Sequence, residues 1–438
     1  MFLKPQINDH LVVTPREISY EGLGVVKFSN YTIFVYDLFP DEQAEIKIIK
    51  AQSKIAFARV VKFIKTSKDR INTFESHNLD SAPLINLSYD KQIEFKQNYL
   101  QKLLTWNLDI DKSVIHNFIS SPKIYNYRNK IRYKLNLYNQ ELALFETIAK
   151  TNQLKLAQNF ILVDNNLIQI IKELTKQISD FFTKNQQEYK LKYFKEITGR
   201  INFENQVTIL LEIEPLFDLP QKLINQIIKN ENLKKLIELV ILKNKKTAKV
   251  ISKKQFQMQL LDKRFIIDPL SFFQVNIEVA SKIFELALTF KQEEKLILDL
   301  FCGSGVIGQI AAQNEEILGI DIDLNAIDRA KQNAKLNKFT NAKYYTGDVF
   351  KTIANLKVDC SNSFLILDPP RAGLGEKLVN WIIDQKFKKL IYISCDPRTM
   401  TRDLKQLEKS NYKITYVQGF DMFPNTSHIE TLVIIEII

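Results

Sequence analysis

The chain has 438 residues, 45% of them hydrophobic, with 61 Lys and Arg against 50 Asp and Glu and three cysteines. At roughly 100–200 residues per domain this length implies two to four domains. Cys302, Cys360 and Cys395 have no paired spacing, which argues against a disulfide scaffold and for a reducing compartment. No run of 18 uncharged apolar residues occurs, so no membrane span is expected. The start, Met1-Phe-Leu-Lys-Pro-Gln, lacks an apolar signal-peptide core, and the expected location is the cytoplasm.

The net charge of +11 is unevenly spread. Residues 271–438 hold 20 Lys and Arg against 21 Asp and Glu, which leaves 41 against 29 in the first 270. A basic part joined to a neutral part suggests polyanion binding attached to catalysis, although a lysine-rich surface alone gives the same balance.

In chain order, Leu11–Val13, Gly24–Phe28, Tyr31–Tyr36, Ala44–Ile49 and Ile55–Val61 are short apolar runs separated by turn signals. They predict a small β-barrel over 1–66, with Lys47, Lys50, Lys54, Arg59 and Lys62 on a basic side. Residues 67–88 read as a polar linker, and Tyr89 to Trp106 as a helix from the spacing of Ile93, Phe95, Tyr99, Leu103 and Leu104. From Tyr127 to Leu135, cations alternate with aromatic and apolar residues. On a strand, Arg128, Lys130, Arg132 and Lys134 would share one face, either a solvated row or a ridge that follows phosphates. A helix is expected over Leu167–Phe182 within a mixed α+β central region, 67–270.

From 271 strand and helix alternate, with strand-like runs at Leu296–Leu300, Ile317–Ile320, Ala342–Tyr345, Phe364–Leu367, Lys389–Ser394, Ile414–Val417 and Thr431–Ile437. This is the pattern of an α/β domain with a parallel sheet, whose ligands bind beyond the carboxyl ends of the strands. There stand Asp299-Leu-Phe301-Cys-Gly303-Ser-Gly305-Val-Ile-Gly308, then Gly319-Ile-Asp321, then Gly347-Asp348, then Asp368-Pro-Pro-Arg371-Ala-Gly373. The glycines let backbone approach a ligand, and Asp321 can accept both hydroxyls of an adenosine ribose, so NAD and S-adenosylmethionine both fit the first two motifs. Asp348 suits an adenine amino group. The two prolines after Asp368 make a rigid turn without N–H donors, which hydride transfer does not need. Cys395 stands where a strand runs into Asp396-Pro397, and Glu430 opens the last strand. A buried small hydrophobe remains an alternative for Cys395, as does a surface carboxylate for Glu430.

Phe301-Cys-Gly-Ser-Gly, Asp368-Pro-Pro-Arg-Ala-Gly, Ser394-Cys395-Asp-Pro-x-Thr399-x-x-Arg402-Asp403-Leu404 and Phe423-Pro-x-Thr-x-His428-x-Glu430 together resemble the RNA uracil-C5 methyltransferase family. Ser271-Phe-Phe-Gln274-Val-Asn276 resembles the stretch before its sheet, whose glutamine contacts the cofactor. Tyr20-Glu-Gly-Leu-Gly24-Val resembles the TRAM barrel of its ribosomal-RNA members, and Tyr127-Arg-Asn-Lys130 the start of their RNA-contacting domain. The resemblance implies an α/β protein in three parts: a TRAM/OB-like barrel over 1–66, a central RNA-binding domain over 67–270, and a Rossmann-like class I methyltransferase domain over 271–438. It implies Cys395 as nucleophile and Glu430 as base. For S-adenosylmethionine it implies Gln274, Phe301, Gly303, Asp321, Asp348 and Asp368, with no metal site. The expected product is 5-methyluridine in RNA. The N-terminal barrel favours 23S ribosomal RNA, transfer RNA is the alternative, and a monomer is expected. Arg70–Tyr89 contains no cysteine, with Ala82 and Pro83 where many members place one, so no iron–sulfur cluster is expected. Asp321 replaces a common glutamate, and Asp396 the usual asparagine. An NAD-dependent oxidoreductase and a non-catalytic RNA-binding protein are the rivals, and neither accounts for Cys395 together with Glu430.

Overall fold

The computed structural model describes residues 4–71, 81–148 and 153–438. Tertiary contacts gather them into two compact units, one formed by Met1–Ile124, Pro369–Ile383 and Ile391–Ile438 and the other by Tyr125–Asp368 and Asp384–Leu390.

The first unit begins with β1 (His10–Val13), β2 (Glu17–Ile18), β3 (Gly24–Phe28), β4 (Tyr31–Tyr36), β5 (Gln43–Ala51) and β6 (Ile55–Lys65), which form one sheet in the order β1-β5-β6-β4-β3-β2. Alternation in β5 buries Ala44, Ile46 and Ile48, and these meet Ile33, Val35, Ala56 and Ala58 in a small core. The segment read as a linker is not loose on its described sides, while 72–80 lies outside the described residues. Arg70 is tied to Asp37 at 3.1 Å and Glu42 at 2.6 Å, and Ala82, Leu84 and Ile85 are fully buried. Helix α1 (Tyr89–Asn107) follows. Its boundaries match the periodicity, but of the expected apolar set only Leu104 belongs to the buried stripe, which otherwise consists of Gln92, Lys96 and Leu100.

The second unit holds a seven-stranded sheet, a two-stranded hairpin and the parallel part of a third sheet. β7 (Lys130–Tyr138), β8 (Glu141–Thr147), β9 (Leu154–Leu156), then after α2 (Asn165–Lys184) β10 (Phe194–Ile201) and β11 (Val207–Ile213), and after α3 (Gln221–Lys229) β12 (Leu236–Lys243) and β13 (Lys246–Ser252), form a sheet ordered β13-β12-β11-β10-β7-β8-β9. Helix α2 lays Leu167, Ile171, Leu174, Ile178 and Phe182 on its core, a 3.6-residue stripe. Gly199 makes this contact close: a Cβ there would sit 2.7 Å from Ile171 Cδ1. The hairpin β14 (Gln257–Leu260) and β15 (Lys263–Ile266) leads into α4 (Ile277–Leu288).

The other sheet of this unit contains β16 (Leu296–Leu300), β17 (Glu316–Asp321), β18 (Ala342–Thr346) and β19 (Ser363–Leu367), parallel and ordered β18-β17-β16-β19. Helices α5 (Val306–Ala311), α6 (Leu324–Leu336) and α7 (Val349–Ile353) connect them. The strand order reverses at β16, and the crevice at such a switch point is where open α/β sheets hold ligands. This is the Rossmann-like sheet expected from the alternation of elements.

The chain then passes through α8 (Glu376–Gln385), β20 (Lys389–Ser394), α9 (Pro397–Glu408), β21 (Tyr412–Phe420) and β22 (Glu430–Ile437). β21 and β22 pair antiparallel, and β22 neighbours β20. No helix among the described residues is long and apolar enough to cross a membrane.

Candidate active site

In the second unit the turn after β16 is built on backbone geometry that its sequence permits. Phe301 and Gly303 both have positive φ, +69° and +52°. Phe301 N–H and Cys302 N–H donate to Ile320 O, and Gly303 N–H donates to Asp321 Oδ2 at 2.9 Å. Gly305, at φ +76°, is required twice over, because a Cβ would also lie 2.7 Å from Gln309 Nε2. Cys302 is buried, and burial pushes its thiol well up, so it is a packing residue.

Three carboxylates crowd the ends of adjacent strands. Asp299 accepts Gly308 N–H at 2.8 Å, while its buried Oδ1 takes no hydrogen bond among the described residues. Burial, and then the Asp368 and Asp321 charges, push its carboxyl up to about 7. Burial likewise raises Asp368 to about 7. Asp321 stays partly accessible and also accepts Asp323 N–H at 2.9 Å. Directly after it Ile322 is 74% exposed, an apolar side chain facing solvent at a strand end, which the sequence analysis had passed over. Carboxylates gathered with no ion-pair partner among the described residues suit a ligand carrying positive charge, as the sulfonium and ammonium of S-adenosylmethionine do.

The remaining expected contacts divide. Gln274 lies in the segment before α4, where Asn129 Nδ2 donates to its backbone oxygen at 2.9 Å. Lys130 and Arg200 brace the same segment: Lys130 Nζ reaches Leu270 O and Ser271 O, and Arg200 donates to Ser271 O at 2.8 Å. Asp348 caps α7, accepting Lys351 N–H at 2.9 Å. Its carboxylate therefore has a structural duty that the sequence analysis did not anticipate.

The first unit carries the Cys395 turn. β20 is buried from Leu390 to Ser394, and Cys395 emerges partly accessible at its end. Asp396 caps α9, accepting Arg398 N–H at 3.0 Å, and Pro397 supplies the fixed φ of the first helical position. Arg398 returns a two-pronged contact to Asp396, Nε at 3.0 Å and a terminal nitrogen at 2.8 Å. Although burial works against the Asp396 charge, Arg398 holds the carboxyl below the usual range. The Arg398 guanidinium lies 3.9 Å from the ring centroid of Tyr20, and the Tyr20 and Tyr99 ring centroids are 5.2 Å apart. The N-terminal segment Tyr20–Gly24 thus reaches the turn that bears Cys395.

The other residues of that motif act as a clamp. Thr399 Oγ1 donates to Arg371 O at 3.0 Å, and Arg402 donates to Ala372 O at 2.9 Å. Asp403 Oδ2 accepts from Leu374 N–H and from the Tyr392 hydroxyl. Gly373, at φ +78°, would place a Cβ 2.4 Å from Asp403 Oδ2, so only glycine fits. These contacts fix the loop after Pro370 against the Cys395 turn.

Glu430 opens β22, paired with Phe420 and only 5% exposed. The loop before it, Asp421 to Ile429, is held by α1. Lys96 Nζ lies 2.5 Å from Asp421 Oδ1 and donates to Phe423 O, both side chains wholly buried. Burial pushes the Lys96 ammonium down, against the raising effect of Asp421. The Gln92 side chain makes two hydrogen bonds with Asn425: Oε1 accepts the Asn425 backbone N–H, and Nε2 donates to Asn425 Oδ1. Removing one partner of a buried ion pair costs about 3–5 kcal/mol. Lys96→Met is therefore expected to lower the thermal midpoint by several degrees and to reduce turnover, because the Glu430 loop loses its tether. An unchanged midpoint in a thermal melt would contradict this.

The cationic row on β7 alternates as expected, with Ile131 and Leu135 buried and Arg132 and Lys134 exposed. The cations already have protein partners, however. Arg132 and Lys134 share the buried Glu196 of β10, at 2.5 and 2.7 Å, and Lys130 is turned to the 270–271 backbone.

The strand order, the glycine turn after β16 and the carboxylates at successive strand ends define a class I methyltransferase fold. A family model described as tRNA (Uracil-5-)-methyltransferase matches residues 88–438, and the chain belongs to that family of S-adenosylmethionine-dependent RNA methyltransferases. An uncharacterized RNA methyltransferase of Oceanobacillus iheyensis is 26% identical over 446 residues, covering 98% of this chain and 97% of its own. One of Lactobacillus johnsonii is 29% identical, with 96% of each chain covered. Among solved structures, the Pyrococcus abyssi tRNA (uracil-54, C5)-methyltransferase in complex with S-adenosyl-L-homocysteine superimposes with a TM-score of 0.75 at 22% identity, over 97% of this chain and 100% of that one.

Proposed function

We propose that the chain methylates C5 of a uridine in RNA by way of a covalent bond between Cys395 and C6. The observation that carries this is the partly accessible Cys395 at the end of β20, with the buried Glu430 opening the neighbouring strand β22. C5 of uracil is a weak nucleophile. Addition of the Cys395 sulfur to C6 moves electrons to C5 and the C4 oxygen, and a thiolate is the side chain best suited to such addition. The N-terminal end of α9, which begins two residues after Cys395, supplies positive potential near the sulfur. Bound S-adenosylmethionine supplies the methyl group. Glu430 then takes the C5 proton, and the electrons released expel the Cys395 sulfur. The base must be unpaired or flipped out to reach the thiol.

For the cofactor, Asp321 accepts the ribose hydroxyls and Ile322 covers the adenine. Phe301 and Gly303 shape the turn, and Gln274 and Asp368 line the methionine end. Asp348 reaches the adenine amino group with the oxygen that does not cap α7. Asp321→Ala should weaken cofactor binding about 10–100-fold, since hydrogen bonds to a charged group contribute roughly 1.5–3 kcal/mol. Calorimetry giving the wild-type affinity would refute the ribose role.

Two RNA classes are in contention. The N-terminal sheet with its Tyr20–Gly24 segment supports 23S ribosomal RNA. The fold of the Pyrococcus abyssi tRNA (uracil-54, C5)-methyltransferase covers 97% of this chain, which supports transfer RNA as the second reading. A monomeric protein acting in the cytoplasm accords with both. Unmodified 23S ribosomal RNA and unmodified transfer RNA, offered together with methyl-labelled cofactor, decide between them: label in the ribosomal RNA alone supports the first reading, and label in the transfer RNA alone replaces it.

A further inference from the structure

Helix α9 continues from the Cys395 turn with Arg398, Arg402 and Lys405 at i, i+4 and i+7, and Lys409 follows at i+11. That spacing puts all four on one helical face, and all four are exposed. The opposite face buries Met400, Leu404 and Leu407. With Leu103 and Asn107 of α1, the four cations line a groove of about 490 Å³.

The acids nearby are already engaged. Asp396 holds Arg398, and Asp403 holds Arg402 while bracing the 371–374 loop. Glu408 accepts Asp109 N–H at 3.0 Å and is not part of the groove wall. Lys405 and Lys409 meet no carboxylate among the described residues. The pattern differs from the β7 row, whose Arg132 and Lys134 are both paired to Glu196. A concave strip with two unneutralised ammonium groups and two accessible guanidinium groups is complementary to a polyanion. Arg398, three residues from the nucleophile, links the groove to the reacting base.

We propose that the α1–α9 groove binds the phosphodiester backbone of the substrate RNA next to the uridine that enters at Cys395, with Lys405 and Lys409 as the principal phosphate contacts. This rests on the reading that RNA is the substrate. Neither lysine touches the candidate catalytic residues, so their loss acts on RNA affinity and leaves the chemical step alone.

The test measures binding of a labelled oligouridine of about 20 nucleotides to the full chain by anisotropy across a salt series. Wild type, Lys405→Ala/Lys409→Ala and Lys405→Arg/Lys409→Arg are compared, with melting curves confirming the fold. Each phosphate contact on a single strand contributes about 0.7 to the slope of log affinity against log salt. The alanine pair should therefore flatten the slope by about 1.4 and weaken binding about tenfold at moderate salt. The arginine pair should keep both. In turnover assays the alanine pair should raise KM with kcat unchanged. An alanine pair with wild-type affinity and slope overturns the proposal and leaves the groove to an acidic protein surface. Formation of 5-methyluridine by the wild type is followed in parallel. If the wild type methylates RNA and the slopes coincide, the groove assignment alone falls. If the wild type forms no 5-methyluridine, the reaction assignment falls, and the slopes still decide the groove.

Discussion

Cys395→Ala should abolish methyl transfer, with turnover falling below detection while S-adenosylmethionine affinity stays within a few-fold of wild type. The turns proposed for the cofactor follow β16 and β17, where Gly303 and Asp323 N–H groups donate to Asp321, whereas Cys395 belongs to the turn after β20. The alanine also fits a site that is only partly buried, so little destabilisation follows. Cys302→Ala is the control. Its sulfur is buried beneath the glycine turn, where a Cβ on Gly319 would come within 2.9 Å of it, and its loss should cost stability rather than chemistry. Retained turnover in Cys395→Ala, assayed with methyl-labelled cofactor, would remove it as nucleophile.

Glu430→Gln should have a different and more informative phenotype. Neither sulfur addition nor methylation uses Glu430 as a base, so both proceed. Release of the sulfur requires the electrons of the C5–H bond, and these become available only when the proton leaves. The variant should accumulate a protein–RNA species that survives denaturation, retains label from the cofactor methyl group and disappears when Cys395→Ala is added. Glutamine keeps the size and hydrogen-bonding capacity of a side chain that is almost wholly buried at the start of β22, so the fold should hold. Near-normal turnover without a denaturant-resistant adduct would assign the proton to another base.

Much of the scaffold was legible because each element carries its own signal. The run Lys389–Ser394 is apolar, bounded by charge on one side and Asp-Pro on the other, and forms β20 between those limits. Gly303 and Gly305 marked a turn that needs positive φ, and both adopt it. What was not legible depends on partners far away in the chain. Lys96 and Gln92 drew no reading on α1, because periodicity counts apolar residues, while their partners Asp421 and Asn425 stand 325 and 333 positions later. The β7 cations looked available for phosphate because Glu196 enters only through the antiparallel register with β10. Thr399, Arg402 and Asp403 belong to a recognisable motif, yet their work as a clamp on the 371–374 loop appears only once Gly373 is seen against Asp403. The contact of Arg398 with Tyr20, which links the N-terminal segment to the Cys395 turn, had no local trace at all.

The most direct test of the central claim is nucleoside mass spectrometry of RNA incubated with the purified chain and methyl-labelled S-adenosylmethionine. The RNA comes from cells lacking the gene. The account predicts a labelled methyl group on C5 of uridine, confined to one RNA class, present with the wild-type chain and missing with Cys395→Ala. Label on another base, on a ribose hydroxyl or on nitrogen, or labelled 5-methyluridine formed equally well by Cys395→Ala, would contradict it.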